Sequence, residues 1–211
     1  MELTMAKRKT EENTVVDQKG PDLGELVMKS PAEILPGESP VTLGFLTEGD
    51  APVPTYASAE ASGMDLAAYL VEGGTVRVHD SANNETQRAI RGLNGEARHV
   101  LLEPFDRALI PTGVKAQIPH GYALAIRPRS GTSFKKGLGL TNSVATIDSD
   151  YTGELFVSII NLSGARVKIE DGERIAQILV EKVYRLDVTK LEAITKETER
   201  GEGGFGSTGT K

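Results

Sequence analysis

The chain has 211 residues, a length typical of one domain with appendages, and its formal net charge is −6. The acidic balance disfavours long DNA or RNA as a partner. Cysteine is absent, which excludes disulfides, thiolate catalysis and cysteine-containing zinc sites. No apolar run approaches the length of a membrane span, and the chain does not start with a secretion signal. We therefore expect a cytoplasmic, or at least intracellular, protein of cellular, viral or phage origin that does not contact membranes.

Residues 1–40 are polar and repeatedly interrupted by proline and glycine, which predicts a flexible N-terminal extension. In residues 41–199, short apolar runs, many of them β-branched, end at Gly, Pro, Asn or Asp. This pattern predicts an all-β core, a sandwich or jelly-roll-like barrel. Residues 175–183 are predicted to be a strand rather than an amphipathic helix, because Gly172 precedes them and several are β-branched.

Two segments of the predicted core differ from the rest in composition, because polar and charged residues predominate in them. Residues 81–99 are polar and read as an insertion between strands, with a helix start at residues 83–85 and a helical stretch over residues 87–93. Residues 188–199 have charges at near-helical spacing, which predicts one or two helical turns. Residues 200–211 then form a glycine-rich tail.

The tail contains the sequence RGEGGFGSTG at residues 200–209. Its G-x-G-x-x-G spacing is that of a dinucleotide site, but no helix or second strand follows it. A disordered spacer would not need an arginine, a phenylalanine and two hydroxyl side chains. Arginine pairs with phosphate, a phenyl ring stacks on a base, and backbone N–H groups surround phosphate oxygens. We expect a mobile arm that becomes ordered over a nucleoside triphosphate.

Four further segments contain residues suited to phosphate or proton chemistry. Residues 126–137 hold Arg, Lys, Ser and Gly between apolar runs, and read equally well as a basic surface loop or an oxyanion-binding turn. Residues 148–153 read as a hairpin turn whose Gly153 suits a positive φ, and Asp148 there could deprotonate a water beside a phosphate. Considered by itself, Asp65 is better explained as a residue that satisfies backbone donors at the start of a strand. Residues 172–177, considered by themselves, are no more than a turn and a strand that faces the surface.

Taken in order, five segments resemble the five motifs of the trimeric dUTP pyrophosphatases, the dUTPases. They are SGMDL (62–66), PRSG (128–131), IDSDYTGE (147–154), GERIAQ (172–177) and the tail motif (200–209). The resemblance implies an all-β, distorted jelly-roll barrel that forms a homotrimer with shared active sites. It also implies hydrolysis of dUTP to dUMP and pyrophosphate with Mg²⁺ on the triphosphate, which limits uracil in DNA and supplies dUMP for dTMP synthesis.

The same resemblance assigns roles to individual positions. Asp148 would be the general base that activates water for attack on the α-phosphorus, and Gln177 would act on that water. Asp65 would contact the metal through water, and Tyr151 would lie against the deoxyribose and exclude a 2′-hydroxyl. Uracil would be read by the backbone around Asn142, Thr146, Ile147 and Phe156. The phosphates would be held by Arg129, Ser130 and Gly131 and by the arm residues Arg200, Gly206, Ser207 and Thr208, with Phe205 stacked on uracil.

The sequence leaves two rival interpretations. A dCTP deaminase shares the fold, but it would not need Asp148 followed by Tyr151 in this turn. A regulatory binding protein without catalysis is disfavoured because the motif residues are present. A dUTPase with an added protein partner, bound through the extension or the insertion, stays open. The Met at position 64 departs from the family pattern and is expected to change packing only.

Overall fold

The computed structural model describes residues 41–92 and 95–203, together with the backbone of residues 26–29. This part of the chain is almost entirely β-structure. Its strands are β1 (Leu26–Lys29), β2 (Thr42–Thr47), β3 (Thr55–Tyr56), β4 (Met64–Ala67), β5 (Thr75–His79), β6 (Glu85–Ala89), β7 (His99–Leu102), β8 (Arg107–Ile110), β9 (Val114–Gln117), β10 (Tyr122–Pro128), β11 (Leu138–Leu140), β12 (Ala145–Ile147), β13 (Val157–Asn161), β14 (Val167–Glu170) and β15 (Arg174–Lys182). A single short helix, α1 (Ser130–Lys136), follows β10 within the described residues. The all-β prediction is confirmed, as is the strand predicted over residues 175–183.

Two five-stranded antiparallel sheets form the body of the fold. The first has the order β12-β10-β15-β4-β3 and the second the order β11-β13-β8-β5-β6. Smaller sheets are formed by β1-β2-β9 and β14-β7. One aliphatic core joins them, with Ile126 and Ile178 from the first sheet and Val78 and Ile159 from the second. Strand β13 shows the alternation that this packing requires, since its first, third and fifth residues are buried.

The N-terminal region differs from its prediction at one point. Residues 26–29 form β1, which pairs antiparallel with β2, although the sequence places them in an extension without strand period. Strand β2 pairs with β9 on its other side. The rest of residues 1–40 lies outside the described residues.

The helix predicted in the insertion is wrong, because residues 85–89 form β6, paired with β5 in a hairpin. The cause is the turn between the two strands. The Asp80 carboxylate accepts hydrogen bonds from the backbone N–H groups of Ala82 and Asn84, at 2.9 and 2.8 Å, and Asn83 has a φ of 68°. Hydrogen bonds from Asn84 hold the pKa of Asp80 below its ordinary value. An Asx-type turn therefore replaces the N-cap that the same residues would supply to a helix. Residues 188–199 also lack the predicted helical turns.

The hairpin predicted around residues 148–153 is wrong as well. Strand β12 pairs with β10 in the first sheet, whereas β13 pairs with β8 and β11 in the second. The turn itself exists, since the Tyr151 N–H donates to the Asp148 carbonyl at 3.1 Å. Beyond it the chain crosses to β9, because Leu155 is fully buried and its N–H donates to the Val114 carbonyl at 2.7 Å. The chain therefore pairs with β9 of the small β1-β2-β9 sheet and then enters the second sheet as β13, instead of returning along β12.

Candidate active site

Strands β4, β10 and β15 are neighbours in the first sheet and bring three of the predicted site residues together. Asp65 on β4 lies directly opposite Gln177 on β15, and Gln177 lies opposite Arg127 on β10. Arg129 follows immediately after β10. The sheet register alone therefore places Asp65, Gln177 and Arg129 at one end of three adjacent strands.

The Asp65 carboxylate is shared by two arginines. Its Oδ1 lies 2.7 Å from Arg129 Nε, and its Oδ2 accepts a hydrogen bond from an Arg174 guanidinium nitrogen at 2.9 Å. The Asp65 side chain is 17% exposed and that of Arg129 is 28% exposed. Charge-assisted pairs of this kind hold a guanidinium in one orientation. The sequence does not identify Arg174 as a site residue, because an arginine in a strand does not by itself indicate which carboxylate it will contact.

Arg129 makes a second contact that orients its guanidinium further. One of its terminal nitrogens donates to the Arg174 carbonyl at 3.1 Å. An arginine carries five N–H donors in a planar fork, so donors on the terminal nitrogens remain available for a ligand. The Gln177 amide nitrogen donates to the Pro128 carbonyl at 2.9 Å, which ties β15 to the end of β10 just before Arg129.

A close approach explains one glycine beside this cluster. A Cβ atom on Gly63 would lie 2.7 Å from the Gln177 side-chain oxygen, far closer than such atoms approach. Gly63 thus leaves space for the Gln177 amide. The glycine of the SGMDL segment is explained by packing against this side chain, which the sequence did not reveal.

Ser130 and Gly131 begin α1. Arg129 is the N-cap residue, with extended φ and ψ of −94° and 135°, and no side chain caps the helix. The first N–H groups of a helix have no intrahelical acceptor. A Cβ at Gly131 would meet nothing within 4 Å, so this glycine faces open space. No acidic residue lies in the first turn, and Lys135 and Lys136 occupy the last.

Asp148 and Tyr151 form a second group. Asp148 is exposed just after β12, and the Tyr151 hydroxyl donates to the Glu154 carbonyl at 2.8 Å. The Glu154 carboxylate accepts from the N–H groups of Thr112 and Gly113 at 3.0 and 2.8 Å. The Tyr151 ring is therefore tied to Glu154, which forms an isolated bridge with Lys115 of β9.

The prediction of a positive φ at Gly153 is wrong, since Gly153 is not among the positive-φ glycines. The glycine is explained by a close approach instead. A Cβ there would lie 2.5 Å from the Tyr151 hydroxyl oxygen and 2.7 Å from its ring carbon Cζ. Gly153 therefore makes room for the Tyr151 ring.

The two groups lie apart within one chain. Ile147 pairs with Leu124 near the start of β10, whereas Arg129 follows the last residue of that strand. Asp148 and Arg129 are therefore separated by about six residues of strand, roughly 20 Å at 3.3 Å per residue. One chain does not bring the predicted base next to the predicted phosphate ligands.

Asn142 lies in the turn before β12, Thr146 lies within β12, and Phe156 directly precedes β13, and all three are exposed. The predicted arm residues lie at the C-terminal edge of the described chain or beyond it. Arg200 is exposed, and its Nε donates to the Gly203 carbonyl at 2.8 Å. Phe205, Gly206, Ser207 and Thr208 lie outside the described residues. Among the described residues, no three His, Cys, Asp or Glu side chains are grouped as metal ligands. No helix in the same residues has the length and apolar character needed to cross a membrane.

Comparisons with known proteins converge on one family. The dUTPase family model matches residues 96–209. A deoxyuridine 5′-triphosphate nucleotidohydrolase of Finegoldia magna is 38% identical over 165 residues, covering 78% of this chain and 96% of the relative. The Brucella suis protein of the same name is 44% identical over 150 residues, covering 71% of this chain and 88% of the relative.

Solved structures agree with these relatives. The dUTPase of Staphylococcus bacteriophage 80alpha with dUpNHpp has a TM-score of 0.61 and 25% identity, and the match covers 80% of this chain and 98% of that one. The dUTPase of Streptococcus mutans has a TM-score of 0.52 and 27% identity, with coverage of 68% and 98%. The all-β jelly-roll architecture expected from the sequence is thus the one that these enzymes share.

Proposed function

The chain belongs to the dUTPase family and hydrolyses dUTP, and we propose that it does so at sites shared between the chains of a homotrimer. The observation that carries this proposal is the separation of Asp148 from Arg129 along β10, roughly 20 Å within one chain. General-base catalysis needs the base within hydrogen-bonding reach of the attacking water. A neighbouring copy supplies the missing half if the Asp148 end of one chain faces the Arg129 end of the next.

Exposed apolar side chains support an assembly. Tyr184, Leu186 and Val188 alternate along the chain after β15 and are 78, 82 and 96% exposed. Phe134, on the helix that begins with Ser130, is 93% exposed. Large apolar side chains gathered on one segment mark surfaces that another chain covers. A head-to-tail contact between identical chains closes into a ring when the rotation permits, and a ring of three repeats the shared site three times.

In the proposed reaction the Asp148 carboxylate takes a proton from water as the water oxygen attacks the α-phosphorus of dUTP. A bond forms between that oxygen and phosphorus, the bond to the bridging oxygen breaks, and pyrophosphate leaves with the electron pair. Gln177 of the neighbouring chain orients this water. Phosphoryl transfer of this kind is accelerated chiefly by positioning and by fixed donors around the phosphate oxygens.

The proposed phosphate ligands come from two parts of the chain. Arg129 offers its free terminal donors, held in place by Asp65, and Ser130 and Gly131 offer backbone N–H groups at the uncapped start of α1. The C-terminal arm closes over the outer phosphates through four residues: Arg200, Gly206, Ser207 and Thr208. Phe205 of the same arm stacks on uracil.

Uracil and the sugar are recognised on the Asp148 side in this proposal. Strand β12 is at the edge of its sheet, so the backbone around Thr146 and Ile147 has unpaired donors and acceptors that suit the polar edge of a base. Asn142, before β12, and Phe156, after the turn, are the further residues proposed to contact the base. The Tyr151 ring, fixed by its hydroxyl and by the room at Gly153, lies against the deoxyribose and leaves no space for a 2′-hydroxyl.

We propose that Mg²⁺ accompanies the triphosphate. The described residues contain no cluster of carboxylates for an all-protein site, and Mg²⁺ commonly binds through substrate phosphates and one or two carboxylates while keeping several waters. Both Asp65 oxygens already accept from arginines, but a carboxylate oxygen has further acceptor capacity. Asp65 therefore fits a contact to the metal through water. The metal would neutralise charge on the phosphates.

The test is complementation between two inactive variants. Asp148→Asn removes the base and Arg129→Gln removes a phosphate ligand. A shared site predicts that mixed assemblies of the two variants regain pyrophosphate release from dUTP, because some sites then hold a native Asp148 and a native Arg129. A site built within one chain predicts no recovery on mixing. Assay of each protein against dUTP, UTP, dTTP and dCTP, with ammonia measured for dCTP, separates this enzyme from a dCTP deaminase.

A further inference from the structure

The outer face of the second sheet carries a cavity that the proposed reaction does not use. Its volume is about 380 Å³. Its polar lining comes from Arg77, His79, Glu85, Arg107, Thr141 and Ser158. Asp65, Arg129 and Gln177 belong to the other sheet or to the helix that follows it. The cavity is therefore a separate place in the fold, although Thr141 precedes the proposed uracil segment.

The register of β5 and β8 brings two arginines together on this face. His79 lies directly opposite Arg107, and Arg77 is two residues before His79 and so points to the same side of the sheet. Arg77 and Arg107 are thus diagonal neighbours, a relation in which Cβ atoms lie about 7–8 Å apart or somewhat less. Like charges at that spacing repel unless an anion lies between or beside them.

The carboxylates of the described residues do not compensate this pair of charges. The guanidinium of Arg77 has no hydrogen bond or ion pair with another described residue. Among the described residues, the Arg107 guanidinium donates only to the neutral Asn83 side chain, at 2.5 Å. The one carboxylate in the lining, Glu85, is 3.3 Å from His79 Nε2. The cavity is therefore net positive in a chain whose overall charge is −6.

His79 also lines the cavity, with its side chain 40% exposed and its Nε2 facing Glu85. Thr141 and Ser158, whose hydroxyls are 2.7 Å apart, add two further polar groups to the wall.

We propose that this cavity binds a phosphate-type oxyanion, either inorganic phosphate or pyrophosphate. Arginine is the side chain best suited to phosphate because its planar fork matches the oxygens. The strand β5, which carries Arg77 and His79, is held at this place by the turn at Asp80–Asn84 and by its pairing with β6. The β5–β6 hairpin thus has a function besides extending the sheet.

The test uses full-length protein carrying Arg129→Gln, so that phosphate binding at the active site is weakened. Inorganic phosphate and then pyrophosphate are titrated by calorimetry at low ionic strength. Adding Arg77→Gln or Arg107→Gln should weaken binding of phosphate by about tenfold or more, since a charge-assisted contact is lost. Arg77→Lys should retain part of the affinity, because the charge stays.

A matched control is Arg91→Gln, which removes an exposed arginine from the segment after β6 without touching the cavity lining. This control should bind phosphate as its parent does. Turnover of dUTP by the single variant Arg77→Gln should equal that of the wild type, which separates this site from the reaction. Absence of phosphate and pyrophosphate binding in the Arg129→Gln parent would overturn the proposal. Equal binding with and without Arg77→Gln and Arg107→Gln would do the same.

Discussion

Asp65 Oδ1 lies 2.7 Å from Arg129 Nε, an ion pair that joins β4 to the end of β10. This pair orients the Arg129 guanidinium, which we propose as a phosphate ligand, so binding of phosphate there would cost less conformational entropy. The same carboxylate also accepts from Arg174, so Arg174 holds Asp65 in place from the other side.

Arg174→Gln tests this arrangement. We expect KM for dUTP to rise about two- to fivefold with a smaller change in kcat, because an exposed ion pair contributes only about 0.2–1 kcal/mol and its loss loosens Arg129 without removing it. Arg174→Lys should recover part of the difference. Arg166→Gln, which breaks the distant pair with Glu103, is the control with the same change in charge. Equal KM values for Arg174→Gln and this control would show that Arg174 does not position Arg129.

Asp148→Asn should keep dUTP binding and lower kcat by about 10²- to 10⁴-fold, the usual contribution of a general base. Binding is measured by calorimetry and turnover by pyrophosphate release. Asp150→Asn makes the same chemical change two residues along the same exposed turn and should turn over normally. Retained turnover in Asp148→Asn would remove the base assignment.

Gly153→Ala should lower the preference for dUTP over UTP. The added Cβ would lie 2.5 Å from the Tyr151 hydroxyl oxygen, so the ring must move from the position proposed to exclude the ribose 2′-hydroxyl. The measurement is the ratio of kcat/KM for the two nucleotides. Gly164→Ala, at a glycine with open space around it, serves as the control. An unchanged ratio in Gly153→Ala would argue that the Tyr151 ring does not set sugar selectivity.

Deletion of residues 200–211 should remove most activity and leave the assembly intact. The arm is proposed to contribute phosphate and uracil contacts, and residues 200–202 of its described part are exposed. Light scattering reports the mass and pyrophosphate release reports the activity. A truncated protein with full activity would contradict the role of the arm, and a monomeric mass for the intact protein would contradict the shared site.

Local sequence patterns predicted the β class well and the turns poorly. Residues 175–183 were predicted as a strand because their β-branched side chains suit a pleated surface, and β15 confirms it. The sequence predicts a helix start at residues 83–85 and a helical stretch over residues 87–93, because Asn and Glu also begin helices. A turn forms there instead, because the Asp80 carboxylate accepts hydrogen bonds from N–H groups that the start of a helix would leave without a partner.

The candidate site was predictable as a set of residues but not as an arrangement. Asp65, Arg129 and Gln177 belong to motifs far apart in sequence, and the register of three strands brings them together. Arg174 and Gly63 were missed, because their roles depend on a carboxylate and an amide that only the folded chain brings near. Gly153 was recognised as a special position for the wrong reason, since the approach of a ring and not a positive φ requires it.

By itself the sequence determined the β class, the family and the kinds of side chain available for phosphate and proton chemistry, because these depend on composition, local periodicity and spaced motifs. The tertiary structure alone decided which of these side chains meet. Pairing of β12 with one end of β10 places Asp148 far from Arg129, and pairing of β13 with β8 and β11 places the following segment in the second sheet. Such long-range pairings are set by packing of the whole core, which no local pattern encodes.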